Sequence, residues 1–97
     1  MAEFKRNYYS SGELKSECFE INGKNEGEYK SYYENGQLWK ISYYVNGVLH
    51  GEYKIYYENG QLYGFCNYVN GKKEGALNEY YENGQLNIIS NYVNGKK

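Results

Sequence analysis

The chain is predicted to be all-β: an elongated, single-layer antiparallel sheet of about eight strands, built from four 24-residue β-hairpin repeats. Three observations predict it. Tyr-Tyr recurs at Tyr8-Tyr9, Tyr32-Tyr33, Tyr56-Tyr57 and Tyr80-Tyr81, always 24 residues apart, and a fixed period of that size marks a repeat architecture. Asn-Gly occurs seven times, and between runs of β-formers it is the strongest short-range hairpin signal, because a type I′ turn needs positive φ at both central residues. Apolar residues never fall into the 3-and-4 spacing of an amphipathic helix.

Four such units consume the whole chain, so residues 1–97 read as one domain with repeats at approximately 3–26, 27–50, 51–74 and 75–97. The first repeat is the least regular, with Ser10-Ser11-Gly12 where later copies have Glu34-Asn35-Gly36. In the second, a two-residue turn at Asn35-Gly36 would set Tyr33 opposite Leu38 and Tyr29 opposite Ser42. A second turn at Asn46-Gly47 would set Tyr44 opposite Leu49 and Ser42 opposite Gly51. The third repeats this plan from Gly51, the fourth from Gly75. Side chains alternate across a strand, so these pairings sort residues onto two faces. One face holds Gly27, Tyr29, Tyr33, Leu38, Ser42, Tyr44, Gly51, Tyr53, Tyr57, Leu62, Cys66 and Tyr68, mostly alike from copy to copy; it is the structural face. The other holds Lys30, Tyr32, Trp39, Ile41, Tyr43, His50, Tyr56, Tyr63 and Phe65, and mostly varies.

Composition narrows the function. Leu, Ile, Val and Phe number only 18 of 97, which would suit disorder were the net charge not −1. Fifteen tyrosines supply the missing apolar area. Near-neutral charge argues against a nucleic-acid partner, which would demand a basic face. Apolar runs are too short for a transmembrane helix or the core of a secretory signal. A cytoplasmic location is therefore expected.

Little in the chain points to catalysis, and no enzymatic activity, cofactor or metal is expected. The single histidine, His50, sits beside a turn with no nucleophile or acid positioned against it. Cys18 and Cys66 lie two repeats apart, roughly 19 Å in a sheet with strands about 4.8 Å apart, beyond the ~7 Å a disulfide spans. Two unpaired cysteines fit a reducing compartment. All twelve acids are Glu, so an Asp-rich calcium loop is absent, and the glycines fall in isolated turns rather than before a helix. Glu28 and Glu52 stand near Lys30 and Lys54, as in solvated cross-strand pairs.

The aromatic residues of the varied face are the candidate binding residues: Tyr32, Trp39, Ile41, Tyr43, His50, Tyr56, Tyr63 and Phe65. Tyr and Trp offer large contact area at small entropic cost, which suits a protein-binding plateau. The competing reading is structural, since a single-layer sheet has little interior and tyrosines on both faces simply cover backbone.

The phrase Tyr56-Tyr57-Glu58-Asn59-Gly60-Gln61-Leu62, followed by Asn70-Gly71-Lys72-Lys73-Glu74-Gly75, resembles the MORN (membrane occupation and recognition nexus) repeat. More narrowly it is similar to the bacterial variant-type repeats. The resemblance implies consecutive hairpins laid side by side in one twisted sheet. It also implies a non-enzymatic, protein-binding role, antitoxin- or immunity-like, with a toxin as the partner. Other members of the family act as scaffolds or membrane-associated tethers. Here the basic pairs Lys72-Lys73 and Lys96-Lys97 are too sparse along the sequence for an anionic-lipid patch. Self-association through the sheet edges and carbohydrate recognition by stacked aromatics are the alternatives.

Overall fold

The computed structural model describes residues 2–97. Its strands are β1 Ala2–Tyr8, β2 Leu14–Ile21, β3 Lys24–Tyr32, β4 Leu38–Val45, β5 Val48–Leu49, β6 Gly51–Tyr56, β7 Leu62–Val69, β8 Lys72–Tyr80 and β9 Leu86–Tyr92. They form a single sheet in the order β1-β2-β3-β4-β6-β7-β8-β9, with β5 paired to β4. Every pair is antiparallel, and neighbours in sequence are neighbours in space. The sheet measures 37 × 31 × 14 Å, which is one layer. The hairpin-array prediction holds, with the fifth strand-length broken into β5 and β6 at His50.

Asn-Gly makes two different turns. At Asn22-Gly23, Asn46-Gly47, Asn70-Gly71 and Asn94-Gly95 both residues have positive φ (52–54° for Asn, 81–87° for Gly), the type I′ geometry expected. At Asn35, Asn59 and Asn83 only the glycine is left-handed. There the Gly36 N–H donates to Tyr33 O at 3.0 Å and the Tyr33 N–H to Gln37 O at 2.9 Å, closing a three-residue loop. Asn35 is turned differently because its Oδ1 accepts the Gln37 N–H at 2.8 Å, an Asx turn; Asn59 and Asn83 do the same.

This corrects the register. Tyr29 faces Ser42 and Tyr44 faces Leu49 as expected, but Tyr33 meets Gln37, and Leu38 pairs with Tyr32. The extra loop residue is absorbed by a one-residue bulge at Trp39, between the pairs Tyr32↔Leu38 and Ser31↔Lys40. The same bulge falls at Lys15, Tyr63 and Asn87. A one-residue slip moves a side chain to the other face. Trp39 accordingly lies 5.6 Å from the Tyr33 ring and Tyr63 lies 5.2 Å from the Tyr57 ring, centroid to centroid. Both belong to the face assigned as constant, not the varied one.

A second irregularity falls at Gly27, Gly51 and Gly75. Phe19↔Glu26 gives way to Cys18↔Tyr29 across it, so Gly27 and Glu28 are both extra. Likewise Ile41↔Lys54 carries Ser42 to Tyr53 rather than to Gly51. The positive φ of these glycines (79–117°) is what the kink requires. Because the slip is two residues, faces are preserved.

Repeats are joined by side chains as well as by the ladder. The Tyr9, Tyr33 and Tyr57 hydroxyls donate to the backbone O of Tyr32, Tyr56 and Tyr80 at 2.6–2.7 Å, each one repeat further on. At the opposite end, the Gly47, Gly71 and Gly95 N–H groups donate to Asn25, Leu49 and Lys73 O at 2.8–2.9 Å. Burial is slight. Ser16, Cys18, Ser42 and Cys66 are buried on the constant face, and no large side chain is fully enclosed. Small residues there let the tyrosines of neighbouring strands lie over them, as the Tyr29–Tyr44 and Tyr53–Tyr68 pairs do at 6.0 and 5.6 Å.

Candidate functional site

The varied face is organised by one cross-sheet row. Successive ladders pair Arg6 with Glu17, Glu17 with Lys30, Lys30 with Ile41, Ile41 with Lys54, Lys54 with Phe65, Phe65 with Asn78 and Asn78 with Ile89. Charge gives way to apolar surface along it. Ile41 and Phe65, flanking Lys54, form its centre; both are half-buried. The charged members are paired: Arg6 with Glu17 at 3.3 Å, Lys30 with Glu28 at 3.3 Å, Lys54 with Glu52 at 3.4 Å.

Two phenols beside this row are fixed by carboxylates. The Tyr32 hydroxyl donates to Glu17 Oε2 at 2.8 Å, and the Tyr43 hydroxyl donates to Glu28 Oε2 at 3.4 Å. Burial, then the hydrogen bond to Glu17 and the charges of Glu17 and Glu28, push the Tyr32 phenol up to about 12. Further along, the Phe65 and Tyr80 rings stack at 6.4 Å, and Tyr80 is the next-repeat equivalent of Tyr56. Of the eight residues expected to bind, Tyr32, Ile41, Tyr43, Tyr56 and Phe65 therefore share this face.

Of the other three, two are elsewhere, while His50 stays opposite Tyr43, its N–H donating to Tyr43 O at 2.9 Å. Trp39 and Tyr63 stand on the constant face for the reason given above, and Trp39 also carries Lys40 Nζ 4.1 Å from its ring. His50 is occupied. Its Nδ1 accepts the Asn70 N–H at 3.3 Å, the role that Glu26 and Glu74 play for Asn46 and Asn94 at 2.8 Å. His50 is thus a turn-to-turn tie in the column where the other copies use Glu.

Sequence reasoning passed over the constant face as a surface. Gly64, where other copies have Ser16, Lys40 and Ile88, brings strands β7 and β8 close: a Cβ at Gly64 would meet Asn78 O at 2.7 Å. Beside it lies an open cavity of about 130 Å³, walled by Tyr53, Ile55, Tyr63, Cys66, Tyr68 and Leu77. Burial raises the Tyr53 and Tyr68 phenols and the Cys66 thiol above their ordinary values. Cys18 and Cys66 are both free. The repeat count at position 64 was readable in the sequence; the depth of the cavity depended on a register that was not.

The family model described as "MORN repeat variant" matches residues 25–46, 49–70 and 73–94. No curated protein and no solved structure matches the chain. The three matched stretches span the second, third and fourth hairpin units, while the first copy, with its Ser-Ser-Gly loop, lies outside them. Repeats of this kind are generally non-enzymatic modules that bind proteins or membranes. By its 24-residue period, its paired turns and this match across most of its length, the chain belongs to the MORN repeat variant family.

Proposed function

We propose that the chain is a protein-binding module that masks a protein partner in the cytoplasm, in the manner of an antitoxin or immunity protein, through its varied face. The observation that carries this reading is the pre-ordering of that face. Tyr32 and Tyr43 are tied to Glu17 and Glu28, while Lys30 and Lys54 are held by Glu28 and Glu52. Aromatic anchors fixed before contact lose little entropy on binding. Ile41 and Phe65 supply the apolar centre, Tyr32, Tyr43 and Tyr56 the surrounding area, and the ion pairs a polar rim. The two buried free thiols suit a reducing compartment.

The test is a tagged pull-down from the host lysate with the wild type beside an Ile41→Ala, Phe65→Ala variant and, as an opposite-face control, Trp39→Ala. Loss of an anchor weakens binding by at least about 2 kcal/mol, roughly thirtyfold. One partner captured by the wild type, retained by Trp39→Ala and lost by the double variant is the expected result. Toxicity of that partner when expressed alone supports the antitoxin role. Retention by the folded double variant refutes the face assignment, and capture only of the chain itself favours edge-to-edge assembly.

A further inference from the structure

The constant face of the last two repeats, with the turn edge beside it, carries a second feature: Lys73 lies on the Tyr68 side of that face, and Lys72 and Lys96 stand at the turns. Lys72-Lys73 and Lys96-Lys97 are far apart in sequence, but one repeat period separates them, and the sheet stacks their turns. The Gly95 N–H donates to Lys73 O at 2.9 Å, and a Cβ at Gly95 would lie 3.5 Å from Lys72 Cβ. The equivalent positions one repeat earlier are Val48 and Leu49, so the basic cluster is confined to this corner. Among the described residues the ion pairs involve Lys5, Arg6, Lys30 and Lys54 and none of these four lysines. Glu74, the nearest acid in sequence, is engaged with the Asn94 N–H.

The corner adjoins the apolar cavity. A shallow basin lined by Tyr68, Lys72, Lys73, Tyr92 and Lys96 shares Tyr68 and Lys73 with the cavity walls. Lys73 Nζ stands 5.1 Å from the Tyr92 ring, which holds the amine over the sheet face rather than out along the edge. A cavity of this order accepts a benzene ring when its walls are apolar. Glu79 on the cavity lining is the one acid present, and it disfavours a carboxylate inside the cavity itself. The arrangement therefore asks for an apolar group in the cavity and negative charge only at the lysine corner.

We propose that this groove docks an acidic peptide segment of a protein partner, with one aromatic or large aliphatic side chain in the cavity and carboxylates beside it on Lys72, Lys73 and Lys96. A peptide fits better than a polyanionic surface. Membranes and nucleic acids are held by extended basic stripes, whereas here the lysines adjoin an apolar cavity and one repeat earlier give way to Val48 and Leu49, on a chain of net charge −1.

The probes are fluorescein-labelled decapeptides of glutamate and serine with one central leucine, phenylalanine or tryptophan, titrated by fluorescence anisotropy in low and in physiological salt. Saturable binding is expected for at least one of them. It should weaken about tenfold or more when the central residue becomes serine, the loss of one buried apolar side chain. Lys73→Glu should weaken it at least as much, and salt should reduce it. Leu77→Trp, which fills the cavity from its wall, is the second variant; circular dichroism checks that both variants fold. The proposal is overturned if none of the three peptides saturates, if binding is indifferent to Lys73→Glu, or if vesicles of phosphatidylcholine and phosphatidylserine bind the chain while the peptides do not. Ile41→Ala alone, at a residue outside the cavity lining, should leave peptide binding unchanged, which separates this groove from the masking face.

Discussion

The phenol ties between repeats lend themselves to a direct stability measurement at Tyr33. Its hydroxyl donates to Tyr56 O at 2.7 Å, the most favourable O–H···O distance, in a part-buried setting. Tyr33→Phe removes only that oxygen, so the ring stays packed 5.6 Å from Trp39. A net hydrogen bond of this kind contributes about 0.5–1.5 kcal/mol. In a chain of this length a loss of ~1 kcal/mol lowers Tm by about 4–8 °C. Tyr81 occupies the same column in the last repeat, is 52% exposed, and makes no such bond among the described residues. Tyr81→Phe is therefore the internal control, expected within about 0.5 kcal/mol of wild type. Urea unfolding read by Trp39 fluorescence and by far-UV circular dichroism gives both values on one footing. If Tyr33→Phe proves no more destabilising than Tyr81→Phe, the ties are geometric coincidences of the repeat and do not hold it together.

Other perturbations test other parts of the same framework. His50→Glu should restore the shorter turn tie of the neighbouring copies and leave stability equal or higher, whereas His50→Leu should lose about 0.5 kcal/mol and speed hydrogen exchange at the Asn70 amide; equal exchange in the two variants would dismiss the tie. Gly64→Ala should cost about 1–3 kcal/mol, since its methyl would sit 2.7 Å from the Asn78 backbone oxygen. A neutral result in thermal melts would mean that β7 and β8 separate freely there. Tyr32, with its phenol pushed up to about 12, stabilises the fold fully below the ordinary tyrosine value near 10, and that contribution disappears as pH rises towards 12. Alkaline melts followed at the phenolate absorbance should show Tyr32→Phe losing this dependence in that window; an unchanged profile would place the effect on other tyrosines.

The repeat period, the strand order and the interior pairings Tyr29↔Ser42 and Tyr44↔Leu49 were legible because turn dipeptides recur in phase. What was not legible is that one dipeptide makes two turns. Asn46 and Asn35 both precede glycine, yet Asn46 takes positive φ while Asn35 spends its side chain on the Gln37 N–H. That local hydrogen bond adds a loop residue, the bulge at Trp39 absorbs it, and Trp39 and Tyr63 change faces. The expected face agrees with the structure for Tyr32, Ile41, Tyr43, Tyr56 and Phe65, which lie outside the bulge, and differs for Trp39 and Tyr63 within it. His50 was legible as a turn neighbour, but its exchange with Glu26 and Glu74 in one hydrogen-bonding role needed the adjoining turn in view. The lysine corner was hidden for a similar reason, since linear spacing conceals what a 24-residue period superposes.

The single layer leaves a calorimetric mark. A globular chain of 11.4 kDa exposes about 5,800 Å² when folded, and this sheet exposes 6390 Å². Unfolding therefore uncovers less new surface than usual, much of it tyrosine hydroxyl and peptide. Apolar exposure raises heat capacity and polar exposure lowers it, so scanning calorimetry should give a ΔCp below the ~1.2 kcal/mol/K ordinary for this length. The stability curve flattens as a result: such a sheet gains little from moderate cooling, loses little on moderate warming, and holds its shape over a wider span of temperature than its slight interior implies.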